Sequence, residues 1–436
     1  MGPFYAVLGN NLVANIVNFT VWFALTFWVY LETRSVFATG MIAGVYLVMT
    51  AASGIWFGSL VDHHKKKTAM LGSSLASLAL YILSLAVCLL APAEQLKRID
   101  GPLLWAFIVL VMIGVIAGNV RGIALPTLVT ALVPEDRRDK ANGLVGMVTG
   151  IGFLTTSVIS GFLVARGGMA AALACAIVLT VVVMAHLISV PLQEPEPTTP
   201  APEDAKPAGR VDLMGTIKVV GAVPGLFALI FFAAMNNLLG GVYMALMDAY
   251  GLSLMRVEAW GVLWAVVSCA FILSGVLIAR TGLGQNPLRT LLVVNLIAWA
   301  VAAVFTVQSS IPLLAGGCFI WMFLGPYAEA AEHTTLQKVV PFERQGRVFG
   351  FAQSIEQAAS PVTAFLIGPL TQFVFVPLMT TGAGADAIGD WFGRGPERGI
   401  AIVFTLGGLL GVVMTILAFN SKAYRQLSTR YAAAPA

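Results

Sequence analysis

Long apolar runs separated by short polar breaks dominate this chain. Twelve runs reach about 20 residues or more, the length that an α-helix needs to cross a bilayer. They fall at 5–30, 36–61, 68–91, 102–125, 141–165, 168–191, 214–248, 257–280, 288–308, 311–336, 346–377 and 398–419. The run at 214–248 is long enough to include a surface segment before its spanning part. The pattern predicts an all-α membrane protein with twelve transmembrane helices.

The composition agrees with this pattern and excludes a soluble globular domain. Hydrophobic residues make up 58% of the 436 residues and charged residues 11%, and the mean hydropathy is +0.88, values typical of polytopic membrane proteins. No basic segment or small-residue cleavage site accompanies the first run, which predicts a retained helix rather than a signal peptide. The four cysteines and four histidines are scattered, so we expect no disulfide, metal site or cofactor.

The basic residues at the helix ends predict the orientation. With both termini inside, 18 of the 25 Lys and Arg residues lie on the cytoplasmic side and 7 on the outer side, which is the asymmetry that the positive-inside rule describes. We therefore expect a multi-pass protein of the cell (plasma) membrane, with both termini cytoplasmic. The net charge of +4 comes from these flanks. Nucleic-acid binding is not expected, because no basic face is interleaved with exposed aromatic residues.

A polar linker divides the chain into two halves that repeat each other. The segment 193–211 is rich in Pro, Glu and Thr and has almost nothing apolar to bury, which is typical of a linker. The stretch from Val133 to Gly143 recurs 207 residues later, from Val340 to Gly350. Two such halves around a mid-membrane site are typical of alternating-access transporters. The predicted domains are an N-terminal six-helix bundle at 1–192, the linker, a C-terminal six-helix bundle at 212–421 and a cytoplasmic tail at 422–436.

The polar break after the second run has the most specific motif. It reads Gly58-Ser-Leu-Val-Asp62-His-His-Lys65-Lys66-Lys67, a glycine with an acid four residues later and then a basic cluster. A carboxylate at a helix end is costly unless a cation or a helix N-terminus meets it, so we expect a partner for Asp62 elsewhere in the fold. An ordinary basic stop at a helix end explains the three lysines and leaves Gly58 and Asp62 unexplained.

This loop resembles the G-x-x-x-D-[RH]-x-x-[RK]-[RK] signature between helices two and three of the major facilitator superfamily. Together with the twelve runs and the linker, the resemblance covers essentially the entire chain. The run from Leu132 to Gly143 and its echo from Val339 to Gly350 are similar to the branch of macrolide-efflux and enterobactin-exporter proteins. The resemblance implies secondary active export of bulky, partly apolar compounds, usually driven by proton inflow. We expect a small molecule and protons as partners, and a monomer in the bilayer.

The resemblance also implies a conformational gate. In the family, the acid that corresponds to Asp62 holds the cytoplasmic side closed when the transporter opens outward. We expect its cation to be Arg121, at the cytoplasmic end of helix four, and its helix dipole to lie at the start of helix eleven, near Arg347 to Phe351. The predicted gate residues are Gly58, Asp62, Lys65, Lys66, Lys67 and Arg121.

Carboxyl groups inside the apolar runs are candidates for proton coupling. A charged side chain at the centre of a spanning helix costs about 2.5–3.5 kcal/mol on insertion scales and is seldom kept without use. Glu356 lies about two turns into helix eleven and is the first candidate. Glu332, Glu329 and His333 share one face of helix ten and follow it. The alternative is a structural pairing near the cytoplasmic surface, with Lys338, Arg344 or His333.

Amide and aromatic side chains in the runs are candidates for lining a substrate cavity. Asn11, Asn15 and Asn18 follow i, i+4, i+7 spacing and share one face of helix one. Amides within a bilayer face protein or water, and aromatic rings can stack against flat apolar substrates. The alternative for the amides is hydrogen bonding between helices, worth about 1 kcal/mol each. The candidates are Asn11, Asn15, Asn18, Trp22, Asn236, Asn237, Trp321 and Tyr327.

Two departures from the family pattern bear on proton antiport. Many relatives have an acid in helix one where this chain has Asn18, and drug antiporters often have an arginine in helix four where this chain has Leu110 or Gly114. We interpret the chain as a proton-coupled antiporter that exports drug-like or secondary-metabolite compounds, a multidrug efflux function that confers antibiotic resistance. The alternative is a transporter of one defined solute, such as a sugar, siderophore or lysolipid.

An enzyme is a different class of function, and the sequence argues against it. A membrane-embedded enzyme needs a convergent nucleophile, a metal or an acid–base set within the spans, and no such cluster is readable in the runs. A receptor that does not transport has no need of duplicated halves. We therefore expect no enzymatic activity.

Overall fold

The computed structural model describes residues 2–33, 36–192, 194 and 213–433, and this part of the chain is nearly all helical and has no strand. The helices before the linker are α1 Gly2–Thr33, α2 Val36–His63, α3 Lys66–Leu90, α4 Ala93–Leu96, α5 Pro102–Gly118, α6 Val120–Leu132 and α7 Arg138–Ser189. The helices after the linker are α8 Leu213–Ala222, α9 Leu226–Leu254, α10 Val257–Thr281, α11 Pro287–Val304, α12 Ile311–Val339, α13 Gln345–Leu370, α14 Val376–Thr380, α15 Ala383–Phe392, α16 Pro396–Asn420 and α17 Lys422–Ala433.

Eleven helices in the described ranges are long and apolar enough to cross a membrane. The twelfth predicted span lies within α7, whose backbone leaves the helical region at Gly167 (φ −145°, ψ 16°) and Gly168 (φ 60°, ψ −156°). The positive φ of Gly168 is a conformation that favours a residue without Cβ. The element α7 is thus two helices, 138–166 and 169–189, which match two of the predicted runs. With this division the twelve-helix, all-α fold class is confirmed.

The two longest apolar runs each contain a local break. The run at 214–248 divides into the short helix α8 and the spanning helix α9, and the chain turns between them at Gly225, where φ is 86°. A surface segment before the spanning part was expected from the length of this run. The run at 346–377 continues from α13 through a π-helical turn at Thr371–Phe375 into α14.

The described residues form two compact units, and neither coincides with one half of the sequence. The first unit comprises Met1–Arg138, Val148–Val219 and Val340–Ser354, and the second comprises Asp139–Met147, Val220–Val339 and Ile355–Ala436. The start of α13 therefore belongs to the first unit, and the start of α7 belongs to the second. The domain bounds predicted from the linker remain a prediction.

Each unit has its own apolar core. In the first unit, α1 packs through Val21, Leu25 and Trp28 against α5, where the rings of Trp28 and Phe107 lie 5.6 Å apart. In the second unit, the ring of Tyr243 is stacked on Phe404 at 4.9 Å, and the Tyr243 hydroxyl donates to the Phe404 carbonyl oxygen at 2.6 Å. Close packing of this kind associates helices in a bilayer, where apolar surface alone does not.

Candidate functional site

Asp62 caps the start of α13 within the first unit. Its Oδ1 accepts a hydrogen bond from the Gly346 backbone N–H at 2.7 Å, and its Oδ2 accepts one from the Arg347 backbone N–H at 2.8 Å. The Arg347 Nε lies 3.6 Å from the same Oδ2, and Asp62 is only 8% exposed. The first N–H groups of a helix have no partner inside the helix, and they form the positive end of its dipole. A carboxylate at that end accepts their hydrogen bonds and is stabilised by the dipole.

Glycines allow this contact between α2 and α13. A Cβ added to Gly58 would overlap the carbonyl oxygen of Gly346 and would lie 3.1 Å from the Cα of Arg347. A Cβ added to Gly350 would overlap the backbone oxygen of Gly54. The two backbones therefore touch directly, and this close approach requires a glycine at position 58, one of the predicted gate residues.

The three lysines of the loop differ in their surroundings. Lys65 is exposed and directly precedes α3. Lys66 is only 4% exposed, and its Nζ lies 5.0 Å from the ring centroid of Phe342. The Nζ of Lys67 donates to the carbonyl oxygens of Ile188 and Val190 at the end of α7, at 3.0 and 2.7 Å. A cation at a helix C-terminus is favoured by the dipole, so Lys67 ties α3 to α7.

A carboxylate outside the motif completes this loop. The side chain of Glu194 accepts hydrogen bonds from the backbone N–H groups of Lys66 and Lys67, the latter at 2.8 Å. These are the first N–H groups of α3, which lack partners within the helix. Sequence reasoning missed Glu194 because it lies within the predicted linker, where the composition gave no reason to expect an ordered contact.

Arg121 is not the cation of Asp62, and that expectation is wrong. Its Nη1 donates to Asn10 Oδ1 at 2.9 Å, and its Nη2 and Nε donate to Ser74 Oγ at 2.7 and 3.3 Å. The cation beside Asp62 is Arg347. Arg121 stands in the first turn of α6, after the interruption of the helix at Asn119, and from there it faces α1 and α3.

The second unit has a polar junction that sequence reasoning missed. Asp139, in the first turn of α7, accepts a hydrogen bond from the backbone N–H of Leu283 at 2.8 Å, just after the end of α10. It also accepts from the N–H of Lys140 at 2.7 Å. A Cβ added to Gly143 would overlap the side chain of Ile278. The internal repeat contained a sequence signal for this junction, because an offset of 207 residues pairs Asp139 with Gly346 and Gly143 with Gly350.

An amide network lies beside this junction in the second unit. The Nδ2 of Asn142 donates to Thr334 Oγ1 at 2.8 Å and to Gln337 Oε1 at 2.9 Å. The Nε2 of Gln337 donates back to Asn142 Oδ1 at 3.3 Å. All three residues are buried. The network is uncharged, and it connects the start of α7 to the end of α12.

The structure brings the proton-coupling candidates together. The carboxyl groups of Glu332 on α12 and Glu356 on α13 are hydrogen bonded to each other, and Glu329 is close enough to interact electrostatically with both. Glu329 also interacts with His333. Two carboxyl groups form a hydrogen bond only when one of them carries a proton, because an ionised carboxylate has no donor. The two carboxyl groups thus meet between two spanning helices of the second unit.

The cavity candidates on α1 lie next to open space or have unsatisfied polar atoms. Asn18 accepts from the Tyr81 hydroxyl at 3.0 Å and lines a small recess. Among the described residues, the Oδ1 of Asn11 and the Nε1 of Trp22 are buried without a hydrogen-bond partner. Asn15 is partly exposed on the same helix.

The candidates in the second unit are mostly engaged in packing. Trp321 lies 4.7 Å from Trp299, ring to ring, and the Nε1 of Trp299 donates to Asn236 Oδ1 at 2.7 Å. Asn237 donates to the carbonyl oxygen of Ala233 on its own helix at 3.2 Å. The remaining candidate, Tyr327, is hydrogen bonded to the side chain of Thr281, and its ring lies 5.9 Å from that of Phe323. These contacts favour the structural alternative for Asn236 and Trp321.

Comparisons with known proteins extend this description. A family model described as Major Facilitator Superfamily matches residues 7–364. A bacterial homologue of the iron transporter ferroportin in the outward-facing state has a similar structure, with 14% identity, a TM-score of 0.67 and coverage of 96% of this chain and 99% of that one. At such identities the likeness shows the fold alone. No curated protein sequence matches the chain.

Two further structures share the fold. The human organic anion transporter MFSD10 (TETRAN) is 12% identical, with a TM-score of 0.63 and coverage of 95% of this chain and 98% of that one. The proton:xylose symporter XylE bound to 6-bromo-6-deoxy-D-glucose is 12% identical, with a TM-score of 0.64 and coverage of 95% of each chain.

Proposed function

Because this chain belongs to the major facilitator superfamily, whose members are membrane transporters and not enzymes, we propose that it is a proton-coupled exporter that works by alternating access. Its substrates are drug-like or secondary-metabolite compounds, so that the protein acts as a multidrug antiporter that confers antibiotic resistance. It lies in the plasma membrane with both termini in the cytoplasm, as the excess of basic residues on the predicted inner side supports. The single observation that carries the proton coupling is the hydrogen-bonded pair of Glu332 and Glu356.

The junction at Asp62 supports the gate of this mechanism. Hydrogen bonds to charged groups contribute about 1.5–3 kcal/mol each, so the two bonds from the start of α13 stabilise one conformation by an amount that a transport cycle can reverse. Release of the junction frees the first N–H groups of α13 and the Asp62 carboxylate for hydration. Gly58 supports the gate because it allows the backbones of α2 and α13 to touch. Lys66 and Lys67 support it because their contacts fix the start of α3.

The carboxyl pair supports the coupling step. Glu332 and Glu356 share one proton while they are in contact, and the pair loses it when water from one side of the membrane reaches it. Glu329 lies near enough to interact electrostatically with both carboxyl groups, and His333 interacts with Glu329. Glu356 is the coupling acid in this proposal, since it stands within a helix that also takes part in the gate, and Glu332 is its proton partner.

The aromatic side chains of the first unit support an apolar, flat substrate. The ring of Trp22 lies 4.8 Å from that of Phe23 and 5.5 Å from that of Tyr46 on α2. Its indole N–H has no hydrogen-bond partner among the described residues, so it is available as a donor to a ligand. Flat apolar surface with a few polar groups is typical of small-molecule sites.

Transport into proteoliposomes under an imposed pH gradient tests the proposal. The probes are ethidium, a flat cation, and fluorescein, a flat dye with a carboxylate. Wild type is expected to accumulate dye with the gradient, and Glu356→Gln is expected to lose the response to the gradient by about tenfold, the effect of about 1.4 kcal/mol, while still exchanging dye without a gradient.

The outcomes separate the parts of the proposal. Glu94→Gln, in the short helix α4, is the matched control and is expected to behave as wild type. An equal response of wild type and Glu356→Gln to the gradient removes Glu356 from the coupling step. A wild type that ignores the gradient removes proton coupling altogether. A protein that accepts only a single solute from a wider panel favours the alternative, a transporter of one defined compound.

A further inference from the structure

We propose that the recess around Arg121 in the first unit binds a small anionic group. The recess is small and lies among α1, α3, α5, α6 and α7. It contains neither the Asp62 junction nor the carboxyl pair. The residues that give it its polar character are Asn18, Ser73, Ser74, Ser77, Tyr81 and Arg121.

The charge of Arg121 is buried and has no acid beside it. Arg121 is only 3% exposed, and its two partners, Asn10 and Ser74, are neutral. Within the part of the chain that the structure describes, no carboxylate forms an ion pair with it. The guanidinium has five N–H groups, and three hydrogen bonds engage it. A buried ion without a counterion costs several kcal/mol, and an anion in the recess removes that cost.

The buried arginine of the second unit, Arg398, shows what a structural guanidinium looks like in this protein. Arg398 is 1% exposed. Its Nη2 donates to the carbonyl oxygens of Thr306 and Val307 at 2.9 and 2.6 Å, and its guanidinium lies over the ring of Phe392 at 4.3 Å. Backbone carbonyl groups and an aromatic face thus surround this cation. Arg121 has none of these partners and has a recess instead.

The recess offers donors to an anion, and its serines supply structure. The hydroxyls of Ser73 and Ser77 donate to the carbonyl oxygens of Ala117 and Gly114, both at 2.8 Å, so they hold α3 against α5. The Tyr81 hydroxyl donates to Asn18 Oδ1. The amide nitrogen of Asn18 has two hydrogens to donate, and one of them is directed to Asn119 Oδ1 at 3.4 Å. The guanidinium is a planar fork that matches a carboxylate.

Two sources of this anionic chemistry are possible, a free inorganic anion and the carboxylate of a transported solute. The second source rests on the proposed function, and the first does not. Binding is measured without any gradient, in purified protein, so that its failure is distinguishable from a failure of proton coupling.

The test is the melting temperature of the purified protein in nanodiscs, with sodium chloride or sodium acetate replacing sodium isethionate, whose anion has no carboxylate, at constant ionic strength. A ligand that binds only the folded protein stabilises it. We expect chloride or acetate to raise the Tm of wild type by at least about 2 °C. Arg121→Gln is expected to lose this rise. Arg121→Lys, which keeps the charge without the fork, is expected to keep part of it.

A matched variant separates ligand binding from a structural role. In isethionate alone, Arg121→Gln is expected to melt at the same temperature as wild type or higher, because it removes an uncompensated buried charge. Arg398→Gln is expected to melt lower, because it strips partners from two carbonyl groups and a ring. Its anion response remains as in wild type. The proposal is overturned if neither anion changes the Tm of wild type, or if Arg121→Gln responds as wild type does.

The transport assay then assigns the source of the anion. If Arg121→Gln loses transport of fluorescein by about tenfold and keeps transport of ethidium, the recess takes the carboxylate of the solute. If it loses the anion-dependent rise in Tm and transports both dyes equally well or equally poorly, the recess takes a free anion. Either result leaves the assignment of Glu356 to be judged by its own response to the pH gradient.

Discussion

The first and second units each contain a junction in which an aspartate meets a backbone N–H, and the two junctions are built in opposite directions. In the first unit the acid, Asp62, ends α2 and accepts from the start of α13. In the second unit the acid, Asp139, stands at the start of α7 and accepts from Leu283, just after α10. The repeat pairs Asp139 with Gly346, so acid and donor have exchanged places between the halves.

The exchange leaves the two junctions unequal in strength. Asp62 is 8% exposed and meets two N–H groups of a helix start together with the guanidinium of Arg347. Asp139 is partly exposed, accepts from one N–H outside its own helix, and lies beside the uncharged network of Asn142. Charged hydrogen bonds that are shielded from water are the stronger ones. The first junction is therefore expected to control transport more than the second.

The largest expected effect is that of Asp62→Asn. Asparagine keeps one acceptor oxygen, but its amide nitrogen faces an N–H donor, and the charge that Arg347 meets is lost. A loss of about 1.5–3 kcal/mol per charged hydrogen bond corresponds to at least about a tenfold loss of transport, measured as dye export from proteoliposomes. The protein is expected to remain folded and inserted, as judged by gel filtration. Export within twofold of wild type would remove Asp62 from the gate.

Glycine substitutions give the next largest effect. A Cβ at Gly58 meets backbone atoms of Gly346 and Arg347, which cannot rotate away, so Gly58→Ala is expected to lower transport by about fivefold, a cost of about 1 kcal/mol. Gly143→Ala is expected to lower it less, because its contacts are mainly with the Ile278 side chain. Gly122→Ala is the control, since no atom lies within 4 Å of its added Cβ. Equal effects of all three variants would show that close approach does not distinguish the junctions.

Asp139→Asn is expected to have a smaller effect than either of these. Asparagine keeps an acceptor oxygen for the N–H of Leu283. The two hydrogen bonds that Asp139 accepts both come from backbone N–H groups and not from a cationic side chain. We expect transport to fall by about two- to threefold, the scale of a neutral hydrogen bond in a membrane protein. The measurement is the same export assay at equal protein density. A loss as large as that of Asp62→Asn would contradict the ranking of the two junctions.

The sequence predicted the features that the bilayer imposes and missed those that depend on neighbours. The length of a spanning helix is fixed by membrane thickness, so the twelve runs gave the fold class. The need of Asp62 for a partner was predicted from the cost of a carboxylate at a helix end, and the start of helix eleven was proposed as that partner together with the family resemblance. The pairing of Arg121 with Asp62 was predicted wrongly, because a helix that is apolar on all sides does not indicate which face meets which neighbour.

The second junction was missed for a related physical reason. Asp62 is recognisable in the sequence because it lies at the end of a spanning helix. The corresponding loop after α10 has no acid at that position, because the acid of the second junction, Asp139, lies on α7. Only the pairing of Gly143 with Gly350 in the repeat indicates the contact. Asn236 and Trp321 could not be assigned from sequence either, because an amide or a ring inside an apolar run has the same pattern whether it lines a cavity or packs in a core.

The smallest expected effect, that of Asn142→Ala, tests whether the two junctions act together. The substitution removes two donated hydrogen bonds, to Thr334 and Gln337, and such interhelical bonds average about 0.6 kcal/mol in a membrane protein. Only the part of this loss that differs between the two conformations changes transport, so the substitution alone is expected to lower transport by about twofold. Combined with Gly58→Ala, independent junctions give losses that multiply, whereas coupled ones depart from the product. A product would mean that the two junctions contribute independent free energies to transport. A clear departure would mean that the two junctions are energetically coupled.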